Sequence, residues 1–73
     1  MKLISIIIPA YNESKTIIKI LNYVNEQIKL INNYNFEIIV VDDSSSDGTS
    51  ELIENNKNLY SKFLTNHKNF GKG

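Results

Sequence analysis

Phe36-Glu37-Ile38-Ile39-Val40-Val41-Asp42-Asp43-Ser44-Ser45-Ser46-Asp47-Gly48 is the stretch whose reading decides the fold. Its first half is an apolar, β-branched run of the kind that forms a parallel strand buried on both faces. Two carboxylates, three hydroxyls, a third carboxylate and a glycine follow at once. A buried strand that stops there sets those side chains at the carboxyl edge of a sheet, where open α/β sheets bind ligands. Asp47 suits a cap for the helix that starts next. Capping needs one acceptor, so Asp42 and Asp43 are left over.

Toward the amino end, residues 3–8 form another isoleucine-rich run, too short for a helix, and read as a first buried strand ended by Pro9. Asn12 or Ser14 is placed to cap a helix over 13–30, with Glu13 near its positive end. In that segment Ile17, Leu21, Val24, Ile28 and Ile31 recur at helical spacing, while Lys15, Lys19, Asn22, Glu26 and Lys29 fall off the stripe. Asn32-Asn33-Tyr34-Asn35 breaks it. Toward the carboxyl end, the second strand over 37–41 gives way after its loop to a short helix over 49–56, with Leu52 and Ile53 inward. A third strand is expected over 61–65. The order β-α-β-α-β implies parallel strands with right-handed crossovers, in the order 3-2-1. The fold class is α/β, half of a doubly wound sheet.

Seventy-three residues allow one domain at most. A chain this short buries only roughly 60 % of its unfolded surface, so its core is small. It contains no cysteine, which excludes disulfides and thiolate sites and fits a reducing compartment. Eight lysines balance eight acidic residues and arginine is absent, which argues against sequence-specific nucleic-acid recognition. No apolar run approaches the ~20 residues that span a bilayer. Met1-Lys2 before the first apolar run has the outline of a signal peptide but lacks a small-residue cleavage site.

The turn Pro9-Ala10-Tyr11-Asn12-Glu13 lies beside the second loop if the strands are neighbours. Tyr11 is then able to stack on a planar ligand and Glu13 to accept from a hydroxyl. From the turn alone, a Tyr11 packed on the helix and a Glu13 that only complements the dipole are the simpler assignments. Asp42 and Asp43 are open to three roles: cation ligands, acid and base, or acceptors for ring N–H groups. Adjacent strand residues point to opposite faces, which argues against both carboxylates touching one ion. One faces a ligand while the other is tied into the loop. A carboxylate only accepts hydrogen bonds, so it suits uracil or guanine and repels cytosine or adenine. Gly71-Lys72-Gly73 is not a P-loop, since no glycine stands five residues before it. His67, the one histidine, reads as a loop residue.

Two motifs and their spacing carry a resemblance. Ile6-Ile7-Ile8-Pro9-Ala10-Tyr11-Asn12-Glu13, about thirty residues, and then Val40-Val41-Asp42-Asp43-Ser44-Ser45-Ser46-Asp47-Gly48-Thr49 resemble the start of family-2 glycosyltransferases. Asn69 and Gly71-Lys72-Gly73 are similar to that family's next landmark. The resemblance spans the chain and implies a three-stranded parallel half of a Rossmann-like GT-A sheet, which binds the nucleotide of an NDP-sugar. It implies that Pro9 and Tyr11 frame the base, that Glu13 lies near the nucleoside, and that Asp43 reads the base with Asp42 in support. Asp47 and Thr49 match positions that shape the loop. Ser44 stands where many members have glycine.

The resemblance further implies an inverting transferase with a UDP- or GDP-sugar donor and a glycan or polyprenyl-phosphate acceptor. It implies a divalent cation, Mg²⁺ or Mn²⁺, whose Asp-x-Asp ligands and whose general base lie beyond this sequence. Residues 1–73 are therefore expected to be a truncated amino-terminal portion, inactive alone and without catalytic or metal-ligating residues of its own. A cytoplasmic location, at a membrane face, goes with that expectation. Two other classes compete. A receiver domain places its acidic pair after the first strand and needs a later aspartate, which this sequence lacks after Asp47. The other is a non-catalytic remnant that meets a partner chain through an exposed strand edge.

Overall fold

The computed structural model of the chain describes Lys2 to Asn66. His67, Asn69 and the Gly71-Lys72-Gly73 landmark lie outside the described residues. The elements run β1 (Lys2–Ala10), α1 (Ile17–Ile28), β2 (Tyr34–Asp42), α2 (Thr49–Glu54), a 3-10 turn (Lys57–Leu59) and β3 (Lys62–Thr65). The sheet is parallel throughout, in the order β1-β2-β3, as the alternation of strand and helix dictates.

β2 begins at Tyr34, inside the stretch read as the helix break, and α1 and α2 stop at Ile28 and Glu54, short of their expected ends; two further boundaries differ from the sequence expectation for physical reasons. β1 does not end at Pro9: it continues to Ala10, with Pro9 opposite Val41. β1 is an edge strand, and a proline there costs no ladder bond when its nitrogen faces outward. α1 begins at Ile17, four residues later than expected, and neither Asn12 nor Ser14 caps it. Both are drawn instead into bonds with the loop after β2. The segment before α1 closes with turns, as the N–H groups of Thr16 and Ile17 donate to the Glu13 carbonyl at 3.0 and 2.8 Å.

The expectation that β2 is buried on both faces is corrected. Its burial alternates: Ile38, Val40 and Asp42 are buried, while Ile39 and Val41 are only half-buried. Two right-handed crossovers advancing in one direction place both helices on the same face. That face carries the core, in which Ile8, Ala10, Ile38 and Val40 of the sheet meet Ile17, Leu21 and Ile53 of the helices. Of the predicted stripe, Val24 and Ile28 pack at the margin of this cluster, but Ile31 lies past the helix end and is 45 % exposed. The opposite face presents Ile7 and Leu64, both more than half exposed. Asn25 joins α1 to the 3-10 turn, its side-chain amide donating to the carbonyls of Leu21 and Leu59 at 2.8 and 2.9 Å.

Candidate functional site

β1 and β2 end together. Ala10 pairs with Asp42, and the Asp43 N–H donates to the Ala10 carbonyl at 2.9 Å, so the loops 11–16 and 43–48 leave the sheet side by side. The two aspartates then divide by strand geometry. Asp42 continues the inward series Ile38, Val40, Asp42; it is 4 % exposed, and its carboxylate accepts from the Ser45 hydroxyl. Asp43 follows on the opposite side and is half-buried, with Oδ1 accepting from the Asn66 side-chain amide at 3.3 Å. One carboxylate is thus tied into the loop while the other stands at the rim, as the pleat requires.

Asn66 fixes this corner from β3. Its N–H donates to the Asp42 carbonyl at 2.8 Å, and its own carbonyl accepts from the Ser44 hydroxyl. Ser44 has φ 60, the left-handed region that favours glycine. That conformation explains why glycine suits this position and why serine, with its hydroxyl bonded to Asn66, is accommodated there.

The first loop is held against the second. Asn12 is also left-handed, with φ 51, a conformation that asparagine tolerates better than most residues. Its N–H donates to Ser45 Oγ at 2.9 Å, and its Oδ1 accepts from the Ser46 N–H at 2.8 Å. Farther out, the Ser14 N–H donates to Asp47 Oδ2 at 3.2 Å. Asp47 Oδ1 accepts from the Thr49 N–H at 3.1 Å and from the Thr49 hydroxyl, which gives the cap expected of it one residue ahead of Gly48, the left-handed N-cap of α2. The Thr49 hydroxyl, with help from Ser14, holds the Asp47 carboxyl down to about 2, against the opposing effect of desolvation.

Pro9, Tyr11, Glu13, Asp42 and Asp43 therefore all gather at one end of the sheet. Tyr11 is 59 % exposed and not packed away under the helix. Glu13 has a local role, with Oε1 accepting from the Thr16 hydroxyl at 2.8 Å. Ser45 and Asn66 have no assigned role in the sequence reading, and Asn12 figures there only as a helix cap. An asparagine directly after Tyr11 in a proline-bearing turn was a legible signal of a left-handed residue, whereas nothing in the sequence pointed Asn66 at Asp43. Among the described residues no three His, Cys, Asp or Glu side chains converge as a metal site. An open groove of about 430 Å³ runs beside α2, lined by Gly48, Glu51, Leu52, Glu54 and Asn55, and none of the five candidate residues faces it. Chemically, this edge of the sheet offers a carboxylate acceptor on one loop and an exposed aromatic ring on the neighbouring one. No helix among the described residues is long and apolar enough to cross a membrane.

Comparison with known proteins agrees with this arrangement. The family model described as Glycosyl transferase family 2 matches residues 5–73. A dolichyl-phosphate beta-glucosyltransferase of Trichomonas vaginalis is 40 % identical over 76 residues, covering 96 % of this chain and 23 % of the relative. An abequosyltransferase of Salmonella typhimurium is 39 % identical over 72 residues, covering 94 % of this chain and 21 % of its own length. An undecaprenyl-phosphate 4-deoxy-4-formamido-L-arabinose transferase of Aeromonas hydrophila is 40 % identical over 53 residues, covering 73 % and 16 %. The chain thus spans less than a quarter of the length of these relatives, and no solved structure matches it. A parallel sheet ending in paired aspartates beside a Pro-x-Tyr-Asn turn, and a family match over nearly every residue, lead to one assignment: the chain belongs to glycosyl transferase family 2.

Proposed function

We propose that this chain forms the donor-nucleotide end of a glycosyltransferase that moves a sugar from a UDP- or GDP-sugar to a polyprenyl phosphate or glycan. The observation that carries the reading is Asp43, half-buried at the sheet's carboxyl edge, where the loop that bears the exposed Tyr11 leaves the neighbouring strand. An ionised carboxylate accepts from the ring N–H of uracil or guanine, whereas adenine presents an acceptor at the equivalent ring nitrogen. Tyr11 supplies a flat apolar surface for the base, and Pro9 backs it from β1. Asp42, held by Ser45, keeps the end of β2 in place. The lipid-phosphate acceptor rests on the names of two relatives, which carry dolichyl phosphate and undecaprenyl phosphate.

A divalent cation assists transfer in the reading by family, where it would neutralise the departing diphosphate. The described residues offer no cluster to hold one, so the chemistry derived from this chain is base capture. The test is calorimetric titration with UDP, GDP and ADP. Asp43→Ala removes a hydrogen bond to a charged group, a loss of roughly 1.5–3 kcal/mol, or about tenfold to 150-fold in affinity for UDP or GDP. Unchanged affinity rejects the assignment. A second reading, an interaction fragment, is favoured by the uncovered apolar face at Ile7 and Leu64. A chain that binds a partner polypeptide and neither nucleotide would support it.

A further inference from the structure

We infer that Asn12 and Ser45 are positioning residues that latch the Tyr11 loop to the Asp43 loop and set the gap the base enters. The inference rests on the base-capture reading above and goes beyond it, by naming what holds the two sides of the site at a fixed spacing. Asn12 follows Tyr11 directly, and Ser45 stands two residues after Asp43. The link between them has a direction. A carboxylate can only accept, so Ser45 must give its single hydroxyl proton to Asp42, and a lone pair of Oγ is then turned to the Asn12 N–H. Asp42 is buried and belongs to the last paired position of β2. The Tyr11 loop is therefore measured from the same strand end that carries Asp43.

The asparagine side chain closes the link from the other direction, with Oδ1 taking the Ser46 N–H at 2.8 Å. This needs a residue that tolerates φ 51 and also bears an acceptor two bonds past Cβ. Glycine meets the first requirement only, alanine neither, and aspartate both. That difference separates positioning from mere loop closure, because Asn12→Gly keeps the backbone conformation and the bond to Ser45 while losing the bond to Ser46.

The experiment is calorimetric titration of the full chain and its variants with UDP, GDP and ADP, beside far-UV circular dichroism to confirm folding. Asn12→Gly and Ser45→Ala are expected to weaken UDP and GDP binding by about tenfold, and Asn12→Asp to stay within about twofold of the parent. Because the latch acts through Asp43, Asn12→Gly should cost little more once Asp43→Ala is present. Additive losses, the mark of independent sites, overturn the proposal, as does full affinity in Asn12→Gly. If Asp43→Ala itself has no effect, base capture fails; if Asp43→Ala weakens binding and Asn12→Gly does not, the latch alone fails. Amide hydrogen exchange gives a ligand-free check: the Ser46 N–H is protected in the parent chain and loses protection in Asn12→Gly. An unprotected Ser46 amide in the parent overturns the latch.

Discussion

Leu21→Ala tests the architecture that presents the site. Leu21 is fully buried on α1, one of seven buried apolar side chains in the core among the described residues. Removing three carbons from such a position costs about 2.7–5.0 kcal/mol, depending on how far the neighbours close in. A chain of this length carries roughly 4–11 kcal/mol in total, at about 0.05–0.15 per residue. One substitution therefore removes from about a quarter of the stability to all of it, according to where the total falls in that range. Urea denaturation followed by far-UV circular dichroism measures this directly. At a slope of about 1 kcal/mol per M, the midpoint falls by about 3–5 M. Tyr23, two residues along the same helix, is 62 % exposed, so Tyr23→Ala is the internal control. It should shift stability by no more than about 0.5 kcal/mol. Equal effects at the two positions, or no effect at Leu21, would refute the orientation of α1 against the sheet.

Asp47 has a depressed carboxyl, near 2 against an ordinary 3.8, so its contribution is complete above the unfolded value and is lost as pH falls from about 4 through 2; NMR titration should place it there, and Thr49→Val should raise it. Ile7→Lys, on the uncovered face of the edge strand, should improve monodispersity in light scattering while moving the urea midpoint little, and a large loss of stability would mean that this face is covered.

Periodicity was a sufficient guide where burial decides the structure. The parallel order of three strands, the helix through Ile17 and Leu21, and the inward Ile53 all follow from apolar spacing. The failure of Asn12 to cap α1 has a different cause. Its Oδ1, the atom a cap would use, accepts instead from the Ser46 N–H of the loop after β2. Local capping rules weigh only neighbours in the chain, and a tertiary donor such as the Ser46 N–H can outbid them. The supposed double burial of β2 failed for a topological reason: the run Ile38 to Val41 is apolar on both faces, but sequential right-handed crossovers bring helices to one face only. In the site, the opposite facing of Asp42 and Asp43 was legible from the pleat, and the contacts of Asn66 were not, because they depend on where β3 stops.

Apolar packing reaches the end of the sheet and stops there. Ala10 and Asp42 are the last buried positions of their strands, and beyond Asp42 the next buried side chain is Thr49, at the start of α2. The loop between them contains no apolar side chain at all, only serines, aspartates and Gly48. Its order must therefore come from hydrogen bonds, each worth about 0.5–1.5 kcal/mol net. Fixing backbone costs about 1–2 kcal/mol per residue. Bonds of that size hold a loop only when both of its ends are already anchored, here by the register of β1 with β2 and by Thr49 under α2. The rim and the core consequently stand or fall together. Loss of Leu21 should release the Ser46 amide to exchange in the same transition that melts the sheet, although no atom of Leu21 belongs to the loop. A rim that lost protection well before the sheet would show that the loops carry their own stability, against the small number of bonds that join them.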